Sequence, residues 1–548
     1  ITAYDFGTGQ AGKMVQITTE IGQQYMLAKI FQSHAGVTRQ PVTHNILFVF
    51  HSSLLYPAIL PRLGMTLVML AVQRARVNVS RSKGRVFMRK SCLVAAMAMF
   101  SFSVAASGKS AHIEAPKPMS APYPSTYQRI GSGPVLIRNA TVLTGTGERI
   151  DNADVLMRDG KIAGIGKNLD ASDNATIVDG TGKWVTPGII DDHSHLGVYP
   201  SPGVSAHEDG NELTNPTTPN VWAEHSIWPQ DPGFAKALAG GVTSMLVLPG
   251  SGNLIGGRGV VVKNVYGNSY QSMKFPDAPH SLKMACGENP KRVYGSKGSS
   301  PSTRMGNVAG YRAAFIDAKG YMKSWDKYNA GGKEKGDEPT QDLRLETLAA
   351  VMRGDIKVQI HCYRADEMML MMDLAKEFNF KISSFHHAVE AYKIAQPLAD
   401  NGICASMWAD WWGFKMEALD GIQENIALVD RKKNSCAIVH SDSAEGIQRL
   451  NQEAAKVMVR SNALGMNGSP ENAMRWLSLN PAKAIGIDKV TGSLEQGKNA
   501  DVVLWNGMPF SVYAKAEKVY IDGALMFDIN NKNLQPVSDF MVGQGVSP

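Results

Sequence analysis

The rhythm of hydrophobic and polar positions changes three times along this chain. The run Val135-Leu136-Ile137-Arg138-Asn139-Ala140-Thr141-Val142-Leu143 is rich in β-branched residues and reads as a strand. Residues 154–166 follow as a hairpin that turns at Asp159-Gly160. Short strands of the same kind return in residues 492–505 and 519–523. Strands at both ends of a long middle section predict one small β domain, assembled from residues 133–185 and 490–535.

The middle section alternates. Short apolar runs lie at 186–195, 241–249, 258–264, 281–286, 356–362, 381–387, 402–407 and 435–441. Helix-like stretches separate many of them, among them 342–353, 365–378, 388–399 and 447–464. Eight strands alternating with helices predict a mixed α/β architecture: a parallel (β/α)8 TIM-type barrel over residues 186–489. In such a barrel the chemistry sits at the C-terminal strand ends.

Polar residues fall at those ends. His193 and His195 close the first run, Trp184-Val185-Thr186-Pro187-Gly188-Ile189-Ile190-Asp191-Asp192. Residues two apart on a strand point the same way, so both imidazoles can reach one metal ion. Lys283 lies in the fourth run, His361 ends the fifth, His386 and His387 end the sixth, and Asp442 ends the eighth. Burying such groups unpaired is costly, and a metal would satisfy them.

With these residues in view, the chain over residues 133–530 resembles the metal-dependent amidohydrolase superfamily, in the branch near imidazolonepropionase-like proteins and related prolidases. The marks are Thr186-Pro187-Gly188-Ile189-Ile190-Asp191-Asp192-His193-Ser194-His195 and Gly240-Gly241-Val242-Thr243-Ser244. His440-Ser441-Asp442, Asn480-Pro481-Ala482 and Gly497-Lys498-Asn499-Ala500-Asp501-Val502-Val503 complete the set. The resemblance implies a barrel with a small β-sandwich and one or two divalent metals, zinc first among them. It implies that His193, His195 and Asp442 hold one ion, and that His361 with a sixth-strand histidine holds the other. His387 is preferred over His386 because it directly precedes Ala388-Val389-Glu390-Ala391-Tyr392, as the family histidine precedes its helix.

A free ammonium has no lone pair for a metal. In binuclear relatives the fourth-strand lysine is carboxylated and bridges both ions. The resemblance gives Lys283 that role, with Glu288 as the alternative carboxylate. Mononuclear deaminases of the superfamily carry a glutamate three residues after the fifth-strand histidine. Here that position is Arg364, which argues against deamination. The implied chemistry is hydrolysis of amide, peptide-like or cyclic-amide C–N bonds by a metal-activated water, with Asp442 as general acid and base. A lactonase or other esterase on the same metals is the alternative, as is a non-catalytic exported metal- or ligand-binding protein. Around the site, Tyr363 and Arg364 are candidates for a substrate carboxylate, with a structural ion pair to Asp366 or Glu367 as the alternative for Arg364. The loop Met407-Trp408-Ala409-Asp410-Trp411-Trp412-Gly413-Phe414-Lys415 offers Trp408 and Trp411 as an apolar wall. The loop 197–230, with His207, Glu208, Asp209 and His225, reads as a solvated lid over the site.

Composition changes the picture mainly at the start of the chain. Of the 548 residues, 44% are hydrophobic and 19% charged, as in a globular protein. The net charge is +7. Residues 1–87 carry nine basic and two acidic residues, so the whole excess lies there. A small-molecule substrate is therefore expected, and no nucleic acid. Homo-oligomer formation is left open. Met88-Arg89-Lys90, an apolar run and small residues to Ser107 resemble a secretory signal peptide. Residues 1–87 then read as a non-native upstream extension, 88–107 as the leader and 108–132 as a linker or arm. The mature protein would be periplasmic or secreted. The apolar run 46–72 is broken by His51, Pro57, Pro61 and Arg62, so no stable membrane span is expected. Five scattered cysteines without a CxxC pair signal neither a disulfide framework nor a cysteine metal site.

Overall fold

The computed structural model describes residues 122–171, 174–331, 336–411 and 413–535, together with the backbone of three short strands near the start. Those strands, β1 (Thr2–Asp5), β2 (Met14–Thr18) and β3 (Met26–Lys29), pair antiparallel. They belong to a first unit, Ile1–Ala105, and everything below concerns the second, Ala106–Pro548. Apart from those strands, the expected extension, the leader and the first part of the arm lie outside the described residues, as does Trp412. Among the described residues no helix is long and apolar enough to cross a membrane.

The small domain draws on both ends of the catalytic region. Its strands are β4 (Val135–Leu143), β5 (Arg149–Arg158), β6 (Lys161–Gly166), β7 (Thr176–Asp179) and β8 (Trp184–Pro187). The barrel strands β9 to β16 follow in sequence. They are Ile189–Ser194, Val242–Val247, Ile255–Lys263, Ser281–Ala285, Lys357–Cys362, Ile382–His387, Cys404–Met407 and Ala437–Val439. The small domain then resumes with β17 (Val502–Trp505), β18 (Ala516–Ile521) and β19 (Ala524–Asp528). Its strands form one sheet in the order β19-β18-β17-β8-β4-β5-β6, with β7 on β4. Ile162 N donates to Lys498 O and Ala500 N to Gly160 O, each at 2.9 Å. These strands share a hydrophobic core of their own. The period of two is visible on β17. Val502 and Leu504 join the small core, while Val503 and Trp505 join the barrel's.

The apolar run that ends in the two histidines serves both domains. Trp184–Pro187 pairs with β17, and Ile189–Ser194 opens the barrel. Gly188 is the joint. A Cβ there would lie 2.0 Å from Thr243 Oγ1, so the close approach requires glycine. Gly188 thus stands between β8 and the first barrel strand.

The barrel sheet runs β9 to β16 in sequence order. Asp442 N donates to His193 O at 3.1 Å across its closing seam. One expectation is corrected. β11 runs antiparallel to both β10 and β12, while every other neighbouring pair is parallel. The cause is the connection. Residues 248–254, Leu-Pro-Gly-Ser-Gly-Asn-Leu, are too few for a crossover, which needs about a dozen or more, and glycine and proline turn the chain straight back. A second feature unsignalled by periodicity is the 27-residue helix Arg304–Ala330. Its buried stripe Asn307, Tyr311, Phe315, Ala318, Tyr321 and Trp325 keeps helical spacing, but interspersed glycines mask it in the sequence.

The cysteine reading is also corrected. Cys286 is joined to Cys362 and Cys404 to Cys436. Separated by 76 and 32 residues, these cysteines give no local spacing signal. Parallel registry brings them together: Ala285 sits opposite His361, and Ala405 opposite Ala437. Non-reducing peptide mapping is expected to recover both linked pairs. Replacing Cys404 by Ser is expected to cost about 3 kcal/mol in denaturant unfolding.

Candidate active site

Seven ionisable side chains converge where the barrel strands end. His193 and His195 come from β9 and the residue after it. Their Nε2 atoms lie 3.3 Å apart and each lies within 3.3 Å of Asp442 Oδ1. Lys283, on β12, brings Nζ to 3.5 Å from His193 Nε2 and donates to Pro249 O at 3.1 Å. His387 Nδ1 is 3.7 Å from Asp442 Oδ2, and its ring centroid is 4.6 Å from that of His361. His440 completes the group, with its ring 5.0 Å from His387 and 5.2 Å from His193. Two sets, His193/His195/Asp442 and His193/His387/His440, place one donor atom each within 4.8 Å of one another.

The backbone is bent to reach this arrangement. His387 and Asp442 have φ of 67° and 51°, in the left-handed region that β-strands do not use. The turn at His387 carries it toward Asp442. His386, the residue before it, faces the barrel interior and bonds His193 Nδ1 and Gln359 Oε1, each at 2.8 Å.

Electrostatics keep the donors in ligating form. Burial drives His193, His361 and His387 well below the ordinary histidine value, and His440 down to about 3, so all four stay neutral at physiological pH. Burial works to raise the Asp442 carboxyl, but the facing imidazoles, His387 first, hold it well below the usual carboxylate range. Burial also brings the Lys283 ammonium down to about 8, against the pull of Asp442.

The donor set fits a divalent cation. His361 Nδ1, His387 Nδ1 and His440 Nδ1 are buried without a hydrogen-bond partner. His195 Nδ1 lies 2.8 Å from Leu248 O and donates to it, which leaves Nε2 with its lone pair facing the carboxylate. Unpartnered buried donors around an ionised carboxylate are what a metal would satisfy.

The structure separates the two bridging candidates. Lys283 is fully buried at the cluster. Glu288 opens the helix Glu288–Gly295 and points away, to Lys415 Nζ at 3.5 Å. Arg364 takes the ion-pair alternative. It precedes the helix Ala365–Phe378, whose first turn is acidic, and its guanidinium grips Asp366 with two bonds of 2.9 and 2.8 Å. Its side chain is 41% exposed and makes no contact with the cluster. Tyr363 is buried with its ring 4.7 Å from that of His361. Trp408 stacks on His387 at 4.2 Å, and Trp411 sits on the rim, 5.4 Å from Trp408. In the loop 197–230, His207 packs on Trp228 and His225 on Trp222, with no shared centre between them.

Three participants escaped sequence reasoning. His440 had a signal, since it stands two residues before Asp442, the same spacing as His193 and His195. Lys415 ends the mixed-charge loop 407–415 expected over the barrel mouth, while Asn289 had no signal, because only folding brings the two loops together. Lys415 Nζ lies 4.2 Å over the Tyr363 ring and 3.2 Å from Asn289 Oδ1. Asn289 Nδ2 is in turn 3.3 Å from His361 Nε2.

Residues 184–537 match the amidohydrolase family, and the chain belongs to that family. It is 33% identical over 435 residues to the amidohydrolase tasK of Hapsidospora irregularis. That match takes in 73% of this chain and 44% of the relative, so the chain spans less than half of that protein's length. A dihydroorotase of Ligilactobacillus salivarius is 26% identical, over 65% of this chain and 86% of its own. The crystal structure of an amidohydrolase from Thermotoga maritima superposes with a TM-score of 0.66 at 37% identity, covering 72% of this chain and all of that one.

Proposed function

We propose that this protein is an exported metal-dependent hydrolase of C–N bonds, acting on small amides that carry a carboxylate. The observation that carries the reading is the convergence of His193, His195, His361, His387, Lys283 and Asp442 on one buried point. His193, His195 and Asp442 would hold one ion; His361 and His387, with His440 beside them, would hold the second. Lys283 would bridge the two as a carbamate. Zinc suits this nitrogen and oxygen set. A bound divalent ion supplies a hydroxide at neutral pH and polarises the scissile carbonyl.

The residues of the chain do the rest. Asp442 lies between the two histidine sets, placed to take a proton from the attacking water and return it to the leaving nitrogen. Trp408 and Tyr363 wall the cluster and exclude bulk water. A lowered ammonium value favours the neutral amine that carbamate formation requires, which supports Lys283 in the bridging role.

Lys415 gives the substrate class. Its ammonium pairs with Glu288 at 3.5 Å and stands beside Tyr363 and Asn289, next to His361, where a substrate carboxylate would take the place of Glu288. N-acyl amino acids, dipeptides and cyclic amides with a ring carboxylate fit this layout. Membership of the imidazolonepropionase-like and prolidase-related branch is consistent with it, and so is the match to a protein named dihydroorotase. Lys415→Met is expected to raise KM about tenfold with little change in kcat. Arg364→Ala is expected to leave KM within about twofold, because its charge is spent on Asp366.

Export rests on the leader-like run at 88–107 and on the two disulfides, which persist in oxidising compartments. The test of function is a screen of metal-reconstituted protein against N-acyl amino acids, dipeptides, cyclic amides and matched lactones. Turnover of a carboxylated amide is expected. Hydrolysis of lactones alone, or tight metal binding with no turnover of any amide, would overturn the proposal.

A further inference from the structure

The barrel interior is polar where barrels are usually apolar, and one part of it forms a directed line of hydrogen bonds. The helix Leu479–Ile485, which carries the Asn480-Pro481-Ala482 motif, packs beneath the barrel strands. Asn480 Nδ2 fixes it to Ala437 O at 2.8 Å. Its Ala484 carbonyl accepts from Gln359 Nε2 at 3.0 Å. Gln359 Oε1 lies 2.8 Å from His386 Nε2, and His386 Nδ1 lies 2.8 Å from His193 Nδ1. Gln359, His386 and His193 are all buried.

The direction of this line follows from chemistry. A backbone carbonyl only accepts, so the Gln359 amide nitrogen must face Ala484 and its oxygen must face His386. A carbonyl oxygen also only accepts, so His386 carries its proton on Nε2. A neutral imidazole that carries its proton on Nε2 has an acceptor at Nδ1. His193 must then donate from Nδ1. Its Nε2 is left with a lone pair, aimed at Asp442, His195 and Lys283.

We infer that Gln359 and His386 are positioning residues that lock His193 in its metal-ligating tautomer, and that the helix 479–485 anchors the line. Partners of this kind orient a ligating imidazole and raise its basicity, and losing one costs about 10- to 100-fold in metal affinity. The Asn480-Pro481-Ala482 motif thereby acquires a task at the metal site, although it touches no metal ligand itself. The inference rests on the metal-site reading above.

The test measures zinc affinity by competition with a chromophoric chelator, together with thermal unfolding of the metal-free proteins. Gln359→Leu keeps the volume but offers His386 no acceptor. It is expected to weaken zinc binding about 10- to 100-fold. Gln359→Glu, protonated in this interior, donates to Ala484 O and accepts from His386, so it is expected to stay within about threefold of the parent. His386→Leu and His386→Gln form a second pair with the same contrast, and they decide the matter if Gln359→Leu does not fold. Equal zinc affinity in the leucine and polar variants would overturn the inference. So would equal weakening in both that follows a shared fall in metal-free melting temperature. A parent protein that binds no zinc would instead overturn the metal-site reading.

Discussion

Asp442→Asn is expected to lower kcat on the best amide substrate about a thousand-fold while leaving the fold and most of the metal in place. The carboxylate stands within 3.3 Å of His193 Nε2 and His195 Nε2 and faces His387 from its other oxygen. Asparagine keeps the shape and one ligating oxygen but accepts no proton at neutral pH. The backbone favours this substitution as a clean test. Asp442 has φ of 51°, and asparagine adopts that left-handed conformation as readily as aspartate does. Steady-state kinetics with metal analysis on the same preparation separates lost proton transfer from lost metal. Full activity with full metal content would remove Asp442 from the chemistry.

The second large effect is the loss of metal from the variant His193→Ala/His195→Ala. It is expected to bind at most half the metal of the parent and to show no measurable amide hydrolysis. Its melting temperature should also respond less to zinc than the parent's. A ligand at a thousand times its Kd stabilises a folded protein by about 4 kcal/mol, so the parent should melt several degrees higher with zinc than after chelation. The readout is the zinc-dependent shift within each protein. The packing lost with two imidazoles therefore cancels from the comparison. An undiminished zinc shift in the double variant would place the metal elsewhere.

The site is unusual in how much of its polar support is buried. Asp191 accepts from His193 N and Ser441 N, each at 3.2 Å, and Asp192 accepts from Ser406 Oγ. Burial raises these two carboxyls to about 7 and about 8. Ser406 in turn meets Ser384 Oγ at 2.7 Å. An interior filled this way fixes strand ends by directed bonds, and misplacing one partner leaves another unsatisfied. That is the physical reason for so many polar residues in the strands that carry the histidines.

Much of this was legible along the chain because it is local. Strand alternation exposed the small domain and most barrel strands, and the HxH spacing put His193 and His195 on one side of one strand. The run Ala365–Phe378 reads as a helix in the sequence and is one in the structure. What escaped depends on partners distant in sequence. The reversal of β11 follows from a connection too short to cross over, a matter of length that periodicity does not report. The disulfides follow from parallel registry between neighbouring strands. For Arg364 the sequence left a substrate carboxylate and an ion pair with Asp366 or Glu367 as alternatives, and the fold takes the pair with Asp366. Lys415 stands in the mixed-charge loop expected over the barrel mouth, but only folding set it over Tyr363.

The sequence by itself determined the class of architecture and put candidate metal ligands at the ends of particular strands. Those properties are written in periodicities of two and 3.6 and in residue chemistry, which each segment carries alone. Only the tertiary structure decided which atom of each side chain faces the centre. His387 and not its neighbour turns toward Asp442, Lys283 and not Glu288 lies at the cluster, and His193 is held in one tautomer from below. Those choices are made by hydrogen bonds between elements up to hundreds of residues apart, and no single segment contains both partners.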